Sequence, residues 1–307
     1  MSYKRISLLL SFLLAIIALR AASVVQESHL FAVNDGVALH LDIYRSDSAS
    51  ILPQPCLIFV FGGGFKEGKR DAPLYERYFH YFAKRGFAVA SIDYRLGMKG
   101  EKAPGPLHYK PLRNAIHMAV EDLYAATVYL LEHAAELHIE PTLFVISGSS
   151  AGAITVLQAD YMKQNNHLLA KKLPEPFRYA GVISFAGGIF SNEGLPSYKT
   201  TPAPTLFFHG TADRLVPYNK AGLFHLGMYG SSQLVKRFRE RHYPFIFYSI
   251  EDVGHEVSEY PMQEYLPDIE KFIKEMVFDR RQWMTEIRHK DLLRQSDNSS
   301  TPASYYN

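Results

Sequence analysis

The chain has 307 residues, 47% of them hydrophobic and 21% charged, which is enough to bury one large core or two small ones. Its formal net charge of +2 comes from 33 basic and 31 acidic residues, and the basic Lys4, Arg5 and Arg20 lie in the first 23 positions, where no acidic residue occurs. A chain beginning at Val24 would carry 30 basic and 31 acidic residues, so charge gives no reason to expect nucleic acid or a polyanion as partner.

Residues 1–23 have the three parts of a secretory signal peptide. A basic start precedes an apolar run from Ile6 to Leu19, and small residues ending at Ser23 follow it. The run of 14 residues is shorter than the roughly 20 that a membrane span needs, which disfavours the alternative of a retained anchor. We therefore predict cleavage after Ser23, a secreted or periplasmic location, and no stable membrane span in the processed protein.

The first predicted element of the mature chain is a β-hairpin. Residues 29–44, "HLFAVNDGVALHLDIY", alternate apolar and polar side chains around Asn34-Asp35-Gly36. An Asp-Gly turn between two alternating runs is the sequence pattern of two antiparallel strands. The fold is therefore expected to open with a hairpin.

After residue 55 the apolar residues form short continuous runs, which are typical of parallel strands buried on both faces. The six runs lie at residues 56–61, 87–94, 143–147, 180–186, 205–209 and 245–250. Helical periodicity occurs at residues 72–85, 115–134, 151–163, 218–240 and 262–278. This alternation predicts an α/β fold with a mostly parallel sheet of about eight strands and helices on both faces.

The sequence predicts one domain over residues 24–293 and a disordered tail at residues 294–307, whose composition is polar. The single cysteine, Cys56, lies in an apolar strand, which excludes an internal disulfide and a cysteine-based zinc site. The segment "HEVSE" at 255–259 begins like a zinc-protease helix but has Glu259 where the second histidine ligand would stand. We therefore predict no metal and no cofactor.

The motif "GSSAG" at residues 148–152 follows the third of the continuous runs and precedes a helical segment. It is G-x-S-x-G in strand-turn-helix context, where glycines flank a strained serine because other side chains would collide with the strand and the helix. Ser150 is the predicted nucleophile, and the N–H of Ala151 at the helix N-terminus is a predicted donor to developing negative charge. Ser147 and Ser149 are the alternatives if the turn is shifted.

A serine nucleophile needs a base and an orienting acid. "FFHGTADRLVP" places Asp213 shortly after one strand, and "FYSIEDVGHE" places His255 in the loop after the last continuous run. The order serine, acid, histidine is one of the known chain orders of a serine-hydrolase triad. We predict that His255 takes and returns the serine proton and that Asp213 fixes its tautomer. Glu193, Glu251 and Asp252 are alternative acids.

The stretch "FVFGGGFKEGKR" at residues 59–70 allows two interpretations. Its glycines and Lys69 follow most of the spacing of a phosphate-binding P-loop, whereas three glycines after an apolar strand match an oxyanion loop. A P-loop needs Ser or Thr after its lysine to hold magnesium, but Arg70 stands there. We therefore predict an oxyanion hole in which Gly63 and Gly64 are donors.

In this order, "FGGGF", "DYRLG", "GSSAG", "HGTAD" and "GHE" resemble the α/β-hydrolase carboxylesterases, especially secreted bacterial ones, over about residues 29–278. The resemblance implies an α/β-hydrolase fold and the roles nucleophile, acid, base and oxyanion donors for Ser150, Asp213, His255, Gly63, Gly64 and Ala151. Many relatives carry histidine before the three glycines, whereas Phe61 stands here. Phe61 cannot provide the polar support that histidine would give the loop, but the backbone N–H donors of the loop do not depend on this side chain.

The resemblance implies ester hydrolysis, with a small-molecule or polysaccharide-linked substrate carrying a short-chain, acetyl or hydroxycinnamoyl group. Only residues 187–204 separate two successive strands, so no large cap is expected. The Pro-rich residues 97–111 are expected to line the cleft. The candidate acyl pocket consists of Phe61, Phe65, Ile189, Phe190 and Val216. Two other functions stay open: a catalytically silent binding protein with this fold, and a nucleotide enzyme in which Lys69 faces phosphate.

Overall fold

The computed structural model describes residues 23–48, 52–294 and 299–306, so the predicted signal peptide lies outside the described residues apart from Ser23. Strands β1 (Val24–Asn34) and β2 (Val37–Ser46) pair antiparallel. The two turn residues between them, Asp35 and Gly36, have φ of 50° and 77°. Positive φ at both positions is what a type I′ turn requires, and the predicted hairpin is confirmed.

A mostly parallel sheet forms the centre of the molecule. The further strands are β3 (Gln54–Val60), β4 (Ala88–Ile92), β5 (Ile139–Ser149), β6 (Gly181–Phe185), β7 (Gly188–Ser191), β8 (Thr205–Gly210), β9 (Lys220–Leu223), β10 (Leu226–Gly230), β11 (Phe245–Ile250) and β12 (Met284–His289). The large sheet has the order β1-β2-β4-β3-β5-β6-β8-β11-β12. Strand β2 is antiparallel to both neighbours. Along the rest of this sheet, from β4 to β12 in the order just given, all neighbouring strands are parallel.

Helices cover this sheet. They are α1 (Glu76–Ala83), α2 (Lys110–Glu132), α3 (Ala151–Gln164), α4 (Ser231–Glu240), α5 (Pro261–Glu264), α6 (Leu266–Phe272) and α7 (Pro302–Tyr306), and α6 continues into a π-turn at Ile273–Phe278. In β3, every residue from Leu57 to Val60 is completely buried. Because neighbouring strand residues point to opposite faces, this burial requires cover on both faces, and the α/β fold predicted from the sequence is confirmed.

The structure corrects the predicted strand count, because the large sheet has nine strands and a separate three-stranded sheet has the order β7-β10-β9. Strand β12 was not predicted from the sequence. It is an edge strand whose residues alternate between exposed and half-buried, so it lacks the continuous apolar run by which the other parallel strands were recognised. The helix predicted at residues 218–240 is wrong in its first half, where the chain forms β9 and β10. A Cβ on Gly227 would lie 2.4 Å from the Ala221 carbonyl oxygen, a close approach of two strands that glycine permits.

The C-terminal segment differs from the disordered tail expected from the sequence. Residues 302–306 form α7, which lies against the glycine-rich loop after β3. Two adjacent aromatic residues, Tyr305 and Tyr306, give this otherwise polar segment an apolar surface to bury. In the part of the chain that the structure describes, no helix is long and apolar enough to cross a membrane.

Candidate active site

Ser150 occupies a sharp turn between β5 and α3. Its φ is +51°, a conformation that costs a non-glycine residue about 1–3 kcal/mol and persists only when the surroundings enforce it. A Cβ on Gly148 would lie 2.3 Å from the backbone of Gly152, and a Cβ on Gly152 would lie 1.9 Å from the Val60 carbonyl oxygen. Both flanking glycines are therefore required by close backbone packing, as the sequence motif predicts.

Ser150, His255 and Asp213 form a continuous hydrogen-bonded chain. The Ser150 Oγ lies 2.7 Å from His255 Nε2, and His255 Nδ1 lies 2.8 Å from Asp213 Oδ2. Parallel strands present their carboxyl ends at the same edge of the sheet, so the loops after β5, β8 and β11 bring these residues together across 105 positions of sequence. This geometry allows the imidazole to take a proton from the serine hydroxyl.

The Asp213 carboxylate has hydrogen-bond donors on both oxygens. Its Oδ1 accepts from the backbone N–H groups of Leu215 and Val216 at 2.9 and 3.0 Å. Its Oδ2 faces His255 and also lies 3.3 Å from Nε2 of the buried His209. Burial opposes ionisation of Asp213, but the hydrogen bonds from the two histidines outweigh it and hold the pKa of this carboxyl well below its ordinary value. Asp213 is therefore a carboxylate able to orient the imidazole.

The alternative carboxylates of the sequence analysis lie elsewhere. Glu251 pairs with Arg288, and Asp252 pairs with Lys290. Glu193 is exposed in the loop after β7. The structure thus brings none of these three acids to His255 in place of Asp213.

Within the described ranges of the chain, neither alternative serine is hydrogen-bonded to the imidazole. Ser147 is completely buried in β5, and its Oγ lies 2.9 Å from the Tyr78 hydroxyl. Ser149 is the last residue of β5 and is 1% exposed. Ser150 is the serine that the turn presents to His255.

The glycine-rich loop after β3 lies beside Ser150. Gly63 and Gly64 have φ of 113° and 59°, values that favour glycine. Among the described residues, the backbone N–H groups of Gly63, Gly64 and Ala151 have no hydrogen-bond partner. Unpaired N–H groups beside a serine hydroxyl are available to bind an oxyanion, and the role of these three groups as donors stays a prediction. Lys69 lies 3.5 Å from Asp71, in an exposed ion pair.

Three tyrosines support this loop, and the sequence analysis did not identify them in this role. The Tyr75 hydroxyl accepts from the Gly62 N–H at 3.1 Å. The Tyr94 hydroxyl donates to the Phe61 carbonyl oxygen at 3.1 Å, and its ring stacks on the Phe61 ring. The Tyr306 hydroxyl donates to the Gly64 carbonyl oxygen at 2.7 Å. These contacts supply the polar support that the Phe61 side chain cannot give. Of the three tyrosines, only Tyr94 lay within a motif that the sequence analysis had used, "DYRLG".

Two cavities meet at Ser150. The first has a volume of about 220 Å³ and a mostly apolar lining that includes Phe65, Phe190 and Val216, three of the predicted pocket residues. Ile189 does not line it and is completely buried, because neighbouring residues of β7 face opposite sides. Part of the Pro-rich loop, residues 104–106, contributes to the wall, as expected.

The second cavity, of about 260 Å³, is more polar. It is bordered by Ser150 and His255, by Phe61 and by the charged residues Glu67, Lys69 and Glu259. Phe61, predicted as part of an acyl pocket, therefore lies on the polar side of the serine. Within residues 23–48, 52–294 and 299–306, no group of three or more His, Cys, Asp or Glu side chains could hold a metal ion.

Comparison with known proteins finds curated relatives with local sequence similarity and solved structures with the same fold. A family model described as BD-FAE matches residues 41–189, a little under half of the chain. Lipase 2 of Moraxella sp. (strain TA144) is 33% identical over 100 residues, which cover 32% of this chain and 19% of the lipase. The chain spans about a fifth of the length of the curated relatives it matches.

The structure is similar to that of apo esterase 2 of Thermogutta terrifontis, with a TM-score of 0.61 and 22% identity over 84% of this chain and 96% of the esterase. The same esterase phosphorylated by paraoxon gives a TM-score of 0.61 and 20% identity, over 82% of this chain and 95% of the esterase. The predicted resemblance to α/β-hydrolase carboxylesterases is thus confirmed in fold and in local sequence similarity.

Proposed function

We propose that this α/β-hydrolase-fold protein is a serine carboxylic ester hydrolase that works through an acyl-enzyme. The observation that carries the proposal is the hydrogen-bonded chain from Asp213 through His255 to Ser150, beside a loop with unpaired N–H groups. A binding protein has no need for a serine held at positive φ against an imidazole, since that strain has a cost and serves reactivity.

In the first half of the reaction, the Ser150 oxygen attacks the ester carbonyl carbon while His255 Nε2 takes the hydroxyl proton. The carbonyl oxygen becomes an oxyanion that accepts hydrogen bonds from the N–H groups of Gly63, Gly64 and Ala151. When the carbon–oxygen bond to the alcohol breaks, His255 returns the proton to the leaving oxygen. A water molecule, deprotonated by His255, then attacks the acyl-enzyme, and Ser150 recovers its proton as the acid leaves.

The two cavities indicate how an ester lies in the site. The leaving oxygen must be within reach of His255, which borders the polar cavity and not the apolar one. The alcohol is therefore assigned to the polar side and the acyl group to the apolar side. A volume of about 220 Å³ is below the roughly 300–1,000 Å³ of drug-sized ligand pockets. This size supports short-chain acyl, acetyl or single-ring hydroxycinnamoyl groups, on a small or polysaccharide-linked alcohol.

The direct test of this proposal is labelling of the full chain with a fluorophosphonate, followed by hydrolysis of 4-nitrophenyl esters of increasing acyl length. We expect stoichiometric labelling and highest kcat/KM for short acyl chains. The paraoxon-phosphorylated neighbour supports the choice of an organophosphorus probe. A protein that binds esters but is neither labelled nor able to hydrolyse them would instead be a silent member of the fold.

Lys69→Ala is expected to retain ester hydrolysis within about tenfold, because backbone N–H groups and not the Lys69 side chain stabilise an oxyanion. ATP with magnesium is expected to leave the melting temperature unchanged, because only a ligand that binds the native state raises it. Initial rates of 4-nitrophenyl ester hydrolysis check the first expectation, and thermal melts with and without ATP check the second. An ATP-dependent stabilisation that is lost in Lys69→Ala would favour the nucleotide interpretation of residues 59–70.

We also propose export of a mature chain whose single hydrolase domain covers residues 24–293. Strand β1 begins at Val24, next to the predicted cleavage site, which supports this division. N-terminal sequencing of the secreted protein is expected to give a start near Val24. Recovery of protein with an intact Met1 from the soluble cytoplasmic fraction would contradict export.

A further inference from the structure

Helix α7 has one face on the active site and one face in solvent. Pro302, Tyr305 and Tyr306 line the apolar cavity, while Ala303 and Ser304 are exposed. The two tyrosine rings are half-buried, and their centroids are 5.3 Å apart. The cavity assigned above to the acyl group is thus closed on one side by the C-terminal segment.

Contacts from Lys66, Glu67 and Gly64 attach α7 to the glycine-rich loop. The Lys66 Nζ donates to the Tyr305 carbonyl oxygen at 2.5 Å and lies 4.6 Å from the centroid of the Tyr305 ring. The Tyr305 hydroxyl donates to Glu67 Oε1 at 2.7 Å. The Tyr306 hydroxyl donates to the Gly64 carbonyl oxygen at 2.7 Å. Lys66 and Glu67 therefore hold the C-terminal helix against this loop.

Tyr305 lies directly on the oxyanion loop. A Cβ on Gly64 would be 2.5 Å from Tyr305 Cε1 and 2.9 Å from the Tyr306 hydroxyl oxygen. Tyr305 also borders both cavities, so its ring stands between the apolar and the polar side of Ser150. Tyr305 therefore lies against one of the proposed oxyanion donors.

We propose that α7 is a specificity element of the esterase site, in which Tyr305 limits the length of the acyl group and Tyr306 positions the oxyanion loop through the Gly64 carbonyl. This inference rests on the proposed ester hydrolysis. Tyr305 is a wall that contacts substrate, whereas Tyr306 acts through the backbone of the loop. Burial raises the pKa of Tyr306 to about 12, so its hydroxyl keeps its proton and donates at neutral pH.

The role of Tyr305 is tested by kcat/KM for 4-nitrophenyl acetate, butyrate and octanoate. In Tyr305→Ala the octanoate-to-acetate ratio is expected to rise about tenfold, the scale on which small changes of an apolar pocket discriminate substrates. Ala303→Ser, on the solvent face of the same helix, is the matched control and is expected to keep the ratio within twofold. An unchanged ratio in Tyr305→Ala, in protein with a wild-type melting temperature, overturns the proposal.

Tyr306→Phe removes the hydroxyl and keeps the ring. Loss of one hydrogen bond to the loop is expected to lower kcat about fivefold for all three esters alike, with KM unchanged. A role in packing alone predicts no change in kcat, and a role in acyl selection predicts unequal changes; either result contradicts the positioning role.

A third comparison guards against misfolding of a single variant. Lys66→Met weakens the attachment of α7 without altering α7, so the octanoate-to-acetate ratio is expected to rise as in Tyr305→Ala. In a full chain that already carries Tyr305→Ala, Lys66→Met is expected to add nothing, because contacting residues that act together are non-additive. Additive effects would show that Lys66 acts independently of α7. A wild-type protein without labelling or hydrolysis refutes the proposed function, whereas an active wild type with unchanged ratios refutes only the role of α7.

Discussion

Ser150→Ala is expected to lower kcat for ester hydrolysis by about 10⁶-fold and to abolish fluorophosphonate labelling, because it removes the hydroxyl that is proposed to form the acyl-enzyme. The substitution leaves the turn backbone unchanged, since alanine and serine meet similar strain at a φ of +51°. The melting temperature should therefore stay close to that of the wild type. Steady-state rates and labelling of intact protein, read by mass spectrometry, check the result.

Ser147→Ala is the matched control for this prediction. Ser147 lies three residues earlier and bonds the Tyr78 hydroxyl. Its loss is expected to destabilise the fold by about 1 kcal/mol and to leave labelling intact. Labelling that persists in Ser150→Ala and disappears in Ser147→Ala would move the nucleophile to Ser147.

Asp213→Asn is expected to lower kcat by about 10⁴-fold, because an amide at this position stabilises the wrong tautomer of His255. The carboxylate has a depressed pKa in the folded protein, so it contributes stability above the unfolded value of about 4, and this contribution is lost as pH falls below it. At neutral pH the variant should therefore also unfold at lower denaturant concentration. Rates and urea melts between pH 6 and 8 test both effects.

The control for the acid is Glu251→Gln. Glu251 follows the same strand as the histidine loop but pairs with Arg288 in β12. This variant is expected to keep kcat within tenfold of the wild type. If Glu251→Gln lost activity and Asp213→Asn did not, the orienting acid would have to be assigned to Glu251, against the distances in the structure.

Much of the candidate site could be predicted because its parts are local. The glycines around Ser150 are required because one strand and one helix that are adjacent in sequence pack closely there. The parallel strands could be inferred from continuous apolar runs, and parallel strands place their following loops at one edge. Asp213 and His255 could therefore be brought to Ser150 without coordinates. Ile189 could not be placed correctly, because which side chains of a four-residue strand face the cavity depends on the strand with which it pairs.

By itself, the sequence determined the α/β fold, the turn that carries Ser150 and the chain order of its partners, since hydrophobic periodicity and glycine requirements act over a few residues. The tertiary structure alone decided what supports the glycine-rich loop after β3 and what closes the apolar cavity beside Ser150. Gly64 and Tyr306 are 242 positions apart, and no spacing among the chain's 20 tyrosines marks that contact. Helix α7 is stabilised by contacts of its two aromatic residues with Lys66, Glu67 and the Gly64 carbonyl oxygen, and these contacts exist only in the folded protein.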